Sequence, residues 1–107
     1  MIVHLRIGSP SLGQWDAVEL SEENHRSVCL AEGLGHALMG LTASSAVMYL
    51  CSEPYTPARE HGVHPLDPAL SLPWPADIPV LLSDRDAAAP TPAEAVRRGV
   101  LPRYDTC

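Results

Sequence analysis

Residues 30–62 read LAEGLGHALMGLTASSAVMYLCSEPYTPAREHG. Two short apolar runs, HALMGL at 36–41 and AVMYLCS at 46–52, flank a small polar break, TASS at 42–45. This pattern predicts a β-hairpin with one buried face. A Gly-rich turn (31–35) enters it, and an aromatic, Pro-containing, charged loop leaves it. His36 and Tyr49 stand in apolar runs where a plain core would place Val or Leu. One imidazole, titrating near neutrality, and one phenol on paired strands can share a cavity. The plainer reading stands beside it: a capped or exposed strand histidine, and a core tyrosine with its hydroxyl at the surface.

Working outward, IVHLRI at 2–7 and WDAVEL at 15–20 alternate apolar and polar residues and predict two strands. A turn cluster, GSPSLG at 8–13, separates them. SVCL at 27–30 predicts a short third strand after the polar turn SEEN at 21–24. Short strands at this spacing point to a sandwich or barrel, so residues 1–52 read as β-rich.

The second half has another texture. All of the eleven Pro except Pro10 lie from Pro54 onward, and there is no Phe. Regular strands are disfavoured there, which leaves a segment that wraps a sheet or meets a partner. SDRDAAAP at 83–90 predicts a turn or a single helical turn. A short helix is predicted over about 92–98. Thr91 is its N-cap, Pro92 its first residue, Glu94 the third position after the cap, and Gly99 its stop. The whole chain, 1–107, reads as a single partial domain.

Composition narrows the function classes. A formal net charge of −6 argues against a general nucleic-acid surface, which needs a basic stripe. No apolar run approaches the ~20 residues of a membrane span, and the first residues lack a signal-peptide layout. The expectation is a soluble cytoplasmic protein with no membrane or nucleic-acid partner. Cys29, Cys51 and Cys107 show neither CxxC spacing nor a disulfide framework, so they read as thiols in a reducing compartment.

Four motifs in order carry a resemblance. They are GSPSLGQWDAVELSEENHR (8–26), EGLGHALMGL (32–41), VMYLCSEPYTPAREHGVHPLDP (47–68) and LSDRDAAAPTPAEAVRRGVLP (82–102). Together they resemble the dTDP-4-dehydrorhamnose 3,5-epimerase family of sugar-nucleotide epimerases. The resemblance implies an all-β cupin jelly roll, usually a homodimer. AEGLGH resembles the cupin signature PxGxxH, with Ala31 in the Pro position. Family members run to about twice this length, and their first half supplies a base histidine in a segment like RGxHxQ. No such segment occurs here. The chain therefore resembles a C-terminal half, and the expectation is a truncated epimerase without its base. Where the family usually reads VVDIRVGSP, this chain has His4 in place of the Asp.

The family reaction converts dTDP-4-dehydro-6-deoxy-D-glucose to dTDP-4-dehydro-L-rhamnose. Protons at C3 and C5, next to the ketone, are removed and returned. A base on one face and an acid on the other are needed, with a partner for the enolate oxygen. That chemistry requires no metal or redox cofactor. By motif position the resemblance makes Tyr49 the proton donor and Asp86 the carboxylate that orients the base histidine. His36 would line the sugar pocket, Glu60 would contact substrate, and Tyr55 would lie near the nucleotide base. The implied partners are a dTDP-linked 4-keto-6-deoxy sugar, and a second copy or a complementing N-terminal half. Two other readings stand: an inactive half-cupin that binds or scaffolds, and a metal-dependent cupin on His36, His61 and His64.

Overall fold

The computed structural model describes residues 1–106, so the reading of Cys107 lies outside the described residues. Its regular core is a three-stranded antiparallel sheet. Strand β1 (Ile2–His4) is the centre, with β2 (Trp15–Asp16) on one edge and β3 (Leu34–His36) on the other. Ile2 pairs with Asp16 and His36, Val3 with Trp15 and Gly35, and His4 with Leu34. Paired residues share a face, and faces alternate along a strand. One face therefore carries Val3, Trp15 and Gly35; the other carries Ile2, His4, Asp16, Leu34 and His36.

Val3 is buried, as apolar alternation around a central strand requires. Gly35 opposite it has a close-approach role. A Cβ there would stand 2.9 Å from Leu5 Cδ1, so the missing side chain lets Leu5 lie across β3. The β1–β2 turn closes with the His4 N–H donating to the Gln14 carbonyl (2.9 Å) and the Gly13 N–H to the His4 carbonyl (2.8 Å). On the other edge the Met1 amino group donates to the Ala37 carbonyl at 2.7 Å, and Ala37 N–H donates to the Met1 carbonyl.

Beyond these strands the β-rich reading of 1–52 needs correction in its boundaries. The strands predicted at 2–7 and 15–20 shrink to β1 and β2, while the one predicted at 36–41 keeps only His36, and β3 instead takes in Leu34 and Gly35 from the predicted turn. Those predicted at 27–30 and 46–52 do not form among the described residues. The hairpin bend is present: Thr42 Oγ1 lies 2.7 Å from Ser45 Oγ and donates to the Ser44 carbonyl. Beyond Ala37, which pairs with Met1, its flanks join no strand ladder among the described residues. A strand exists only where a neighbouring strand receives its N–H and C=O groups. The apolar residues of this limb stay in solvent: Met48 is 88% exposed, Leu50 91% and Tyr49 70%, and Leu38, Leu41 and Val47 are exposed too.

The Pro-rich half wraps without strands, as Pro dictates. Leu70 is buried, and the Trp74 indole N–H donates to the Pro65 carbonyl at 2.8 Å. Helix α1 (Asp84–Ala87) is a single turn capped by Ser83. Helix α2 (Pro92–Arg98) has the predicted bounds. Thr91 Oγ1 accepts from the Glu94 N–H, Pro92 starts the helix, and Gly99 ends it at φ 67°, a left-handed conformation favouring glycine. Ala95, on its inner side, is fully buried. The C-terminal segment docks on the first strand's extension: the Ile7 N–H donates to the Pro102 carbonyl, and the Tyr104 N–H to the Ile7 carbonyl. No helix of the described residues is long and apolar enough to cross a membrane.

A solvent-exposed row of large apolar side chains is an association surface. The protein is expected to bind a hydrophobic dye and to associate in a concentration-dependent way. Met48→Ser with Leu50→Ser should weaken both while changing stability by no more than about 0.5 kcal/mol, since neither residue is packed. A dye-silent monomer at high concentration would contradict this. A second expectation concerns Asp105, whose carboxyl is held below the usual range chiefly by the hydrogen bond from Arg103 (Nε to Oδ1, 3.2 Å). Its small contribution to stability is present above the unfolded-state pKa and is lost as pH falls through the lowered folded value. Arg103→Ala should move the Asp105 titration, followed by carboxyl-carbon NMR, upward towards the ordinary carboxylate range; an unmoved midpoint would contradict the assignment.

Candidate active site

Strand β3 ends on His36, whose register with Ile2 places it on the face opposite Val3. The chain then runs out through the bend at 42–45 and returns, bringing Tyr49 back to His36. The two ring centroids are 6.4 Å apart with planes tilted by 50°. That separation is within the range of tilted aromatic pairs. The imidazole and the phenol singled out in the sequence are thus neighbours, although no strand ladder brings them together. Both are exposed.

Glu60 and Asp86 form a second group. Asp86 sits in α1, where its N–H donates to Ser83 Oγ at 3.2 Å. Its neighbour Arg85 reaches out of the helix and donates from Nη2 to the Glu60 carbonyl at 3.2 Å. Arg85 therefore ties the turn that carries Asp86 to the loop that carries Glu60. The Glu60 side chain accepts from the Thr56 N–H at 3.5 Å, at the limit of a hydrogen bond. Tyr55, exposed in the preceding loop, joins neither group. Among the described residues no hydrogen bond, ion pair or ring contact links the His36–Tyr49 pair to the Glu60–Asp86 group.

An open cleft of about 470 Å³ lies elsewhere. It is lined by Leu5, Gly35, Arg59, His61, Val100 and their neighbours, and by none of the five candidate residues. Gly33, Leu34 and Gly35 line it together with Leu5, so the cleft borders the start of β3, the strand that ends on His36. Its lining holds one imidazole, that of His61, beside the Arg59 guanidinium. The described residues contain no cluster of three His, Cys, Asp or Glu side chains able to hold a metal. His36, His61 and His64 are accordingly not gathered into such a set.

One group was not singled out by the sequence reading as part of a site. His4 shares the face of His36, and its Nδ1 lies 2.8 Å from Ser11 Oγ. Ser11 Oγ is in turn 3.0 Å from Ser9 Oγ. The available signal was a polar residue at an alternate position of IVHLRI followed by the Ser-rich turn GSPS. What hid it was register, which decides the face and depends on pairing between distant residues.

Residues 1–94 match the protein family described as dTDP-4-dehydrorhamnose 3,5-epimerase. The chain is 54% identical over 104 residues to a Streptomyces dTDP-4-dehydro-6-deoxyglucose 3-epimerase, covering 97% of this chain and 53% of that protein. It is 51% identical over 107 residues to the dTDP-4-dehydrorhamnose 3,5-epimerase of Mycolicibacterium smegmatis, covering all of this chain and 52% of that one. Among solved structures it superimposes with a TM-score of 0.93 on ChmJ, a 3′-monoepimerase from Streptomyces bikiniensis in complex with dTDP-quinovose. The identity there is 52%, with 97% of this chain and 52% of ChmJ covered. The rmlC epimerase of Mycobacterium tuberculosis superimposes equally well at 43% identity, covering 98% of this chain and 54% of that one. The chain spans about half the length of the relatives it matches. The described fold is part of a cupin jelly roll, and the chain belongs to the dTDP-4-dehydrorhamnose 3,5-epimerase family.

Proposed function

We propose that this chain carries the proton-donor side of a sugar-nucleotide epimerase site, acting on a dTDP-linked 4-keto-6-deoxyhexose. The observation that carries the reading is the His36–Tyr49 pair, 6.4 Å apart, in a chain of the epimerase family. That relatives are epimerases at C3 or at C3 and C5, and that ChmJ holds dTDP-quinovose, supports the substrate class.

The chemistry follows from the ketone at C4. A base takes a proton from C3 or C5, and the electron pair delocalises onto the C4 oxygen as an enolate. Tyr49 then returns a proton to the same carbon from the other face. A phenol suits this role because it keeps its proton at neutral pH, with an ordinary pKa of about 10. In the proposed roles His36 positions the sugar, and Asp86 orients the base imidazole. Glu60 and Tyr55 contact the substrate, Tyr55 towards the nucleotide base. The base comes from a polypeptide that supplies the other half of the jelly roll and covers the exposed limb. In this reading residues 1–107 act as one partial domain of a cytoplasmic, homodimeric assembly in dTDP-deoxysugar biosynthesis.

The test is incorporation of solvent deuterium at C3 and C5 of dTDP-4-keto-6-deoxyglucose, followed by mass spectrometry. The chain alone should exchange negligibly. Adding the N-terminal half of a 3,5-epimerase should start exchange, and Tyr49→Phe should then slow it by at least about 100-fold, the lower end of general-acid effects. Rapid exchange by the chain alone that Tyr49→Phe leaves unchanged would overturn the proposal.

A further inference from the structure

We infer that His4 is a substrate-contact residue of the same site, held by Ser11 so that its Nε2 faces the sugar. The inference rests on the epimerase reading and deepens it by assigning a residue to the sugar rather than to the nucleotide.

Three observations carry it. The first is position. Ile2 pairs with His36 and His4 pairs with Leu34, so His4 and His36 are diagonal neighbours on one face of adjacent strands. Such neighbours stand roughly 7–8 Å apart. Two imidazoles thus share this face, and the Tyr49 phenol stands beside one of them. The second is orientation. The Ser9–Ser11 hydroxyl pair engages Nδ1 of His4 at 2.8 Å, and the Ser11 N–H also donates to Ser9 Oγ. A ring fixed through Nδ1 presents Nε2 in a defined direction, as when an orienting group fixes an imidazole for its work. The third is availability. Nε2 has no hydrogen-bond partner among the described residues, and His4 is only half-buried.

The surroundings suit an uncharged hexose. From β2 the same face receives Asp16, and from β3 it receives Leu34 and His36, with Tyr49 beyond. Leu34 gives an apolar patch for a deoxysugar, flanked by groups that donate to and accept from hydroxyl and keto oxygens. A histidine that switches between donor and acceptor can serve either kind of oxygen.

The experiment compares binding of dTDP with binding of dTDP-glucose by the purified chain, using calorimetry and histidine-ring NMR. In the wild type, dTDP-glucose should bind more tightly than dTDP and should shift the ring signals of His4 and His36 together. His4→Ala should remove that sugar-dependent gain, a loss of about fivefold or more in dTDP-glucose affinity, and leave dTDP affinity unchanged. Ser11→Ala should keep the imidazole but lose part of the gain. His25→Ala, in a distant exposed turn, serves as the control. An undiminished gain in His4→Ala, with dTDP still bound, would overturn the inference and leave the epimerase reading standing. A wild type that binds dTDP-glucose no more tightly than dTDP would also overturn the inference, whereas the epimerase reading stands or falls by the exchange started on adding the N-terminal half. Circular dichroism of each variant separates loss of the contact from loss of the fold.

Discussion

The pairing of β1 on both of its edges holds this structure together. Only three residues long, it is, among the described residues, the one strand whose backbone is paired on two sides. Its β3 edge sets the register of His36, its β2 edge sets the turn that holds His4 through Ser11, and its continuation at Ile7 anchors the C-terminal segment. A slip of one residue along β1 would move His36 to the Val3 face and take His4 from Ser11, because side chains alternate with a period of two.

The limb that follows β3 shows the same constraint from the other side. Its sequence suits a half-buried strand, yet it finds no ladder and no apolar surface. Burying a Leu, Val or Met side chain is worth about 1.5–3 kcal/mol. Five such residues, Leu38, Leu41, Val47, Met48 and Leu50, are exposed here. A surface that covered them would gain roughly 10 kcal/mol as an upper bound, enough to drive association by itself. The same limb carries Tyr49, so whatever covers the apolar row also changes the surroundings of the proposed proton donor.

How much could be read in advance follows the range of the forces involved. Helix α2 was legible to the residue, because Thr91, Pro92, Glu94 and Gly99 act within a single turn of chain. The nearness of His36 and Tyr49 was legible from the two apolar runs and the TASS break between them. The strand limits were not. HALMGL and AVMYLCS state a preference for a pleated, half-buried surface, and only a partner strand can turn that preference into a strand. The Arg85 link to Glu60 and the Ser11 link to His4 were equally hidden, since both join residues whose spacing in sequence says nothing of their contact. Resemblance to the epimerase family supplied the roles of Tyr49 and Asp86, which the patterning of residues alone could not assign.

Amide hydrogen exchange, resolved by residue, tests most directly whether β1 organises the fold while the limb lacks a partner. The account predicts protection at His4, Ile7, Gly13 and Ala37, whose N–H groups are held by the β1 ladder and its extensions. It predicts near-intrinsic exchange at Leu38, Leu41 and Val47 through Leu50 in the chain by itself. Equal protection of the limb and of β1 would contradict it, because the limb would then have a hydrogen-bonding partner that this architecture does not provide.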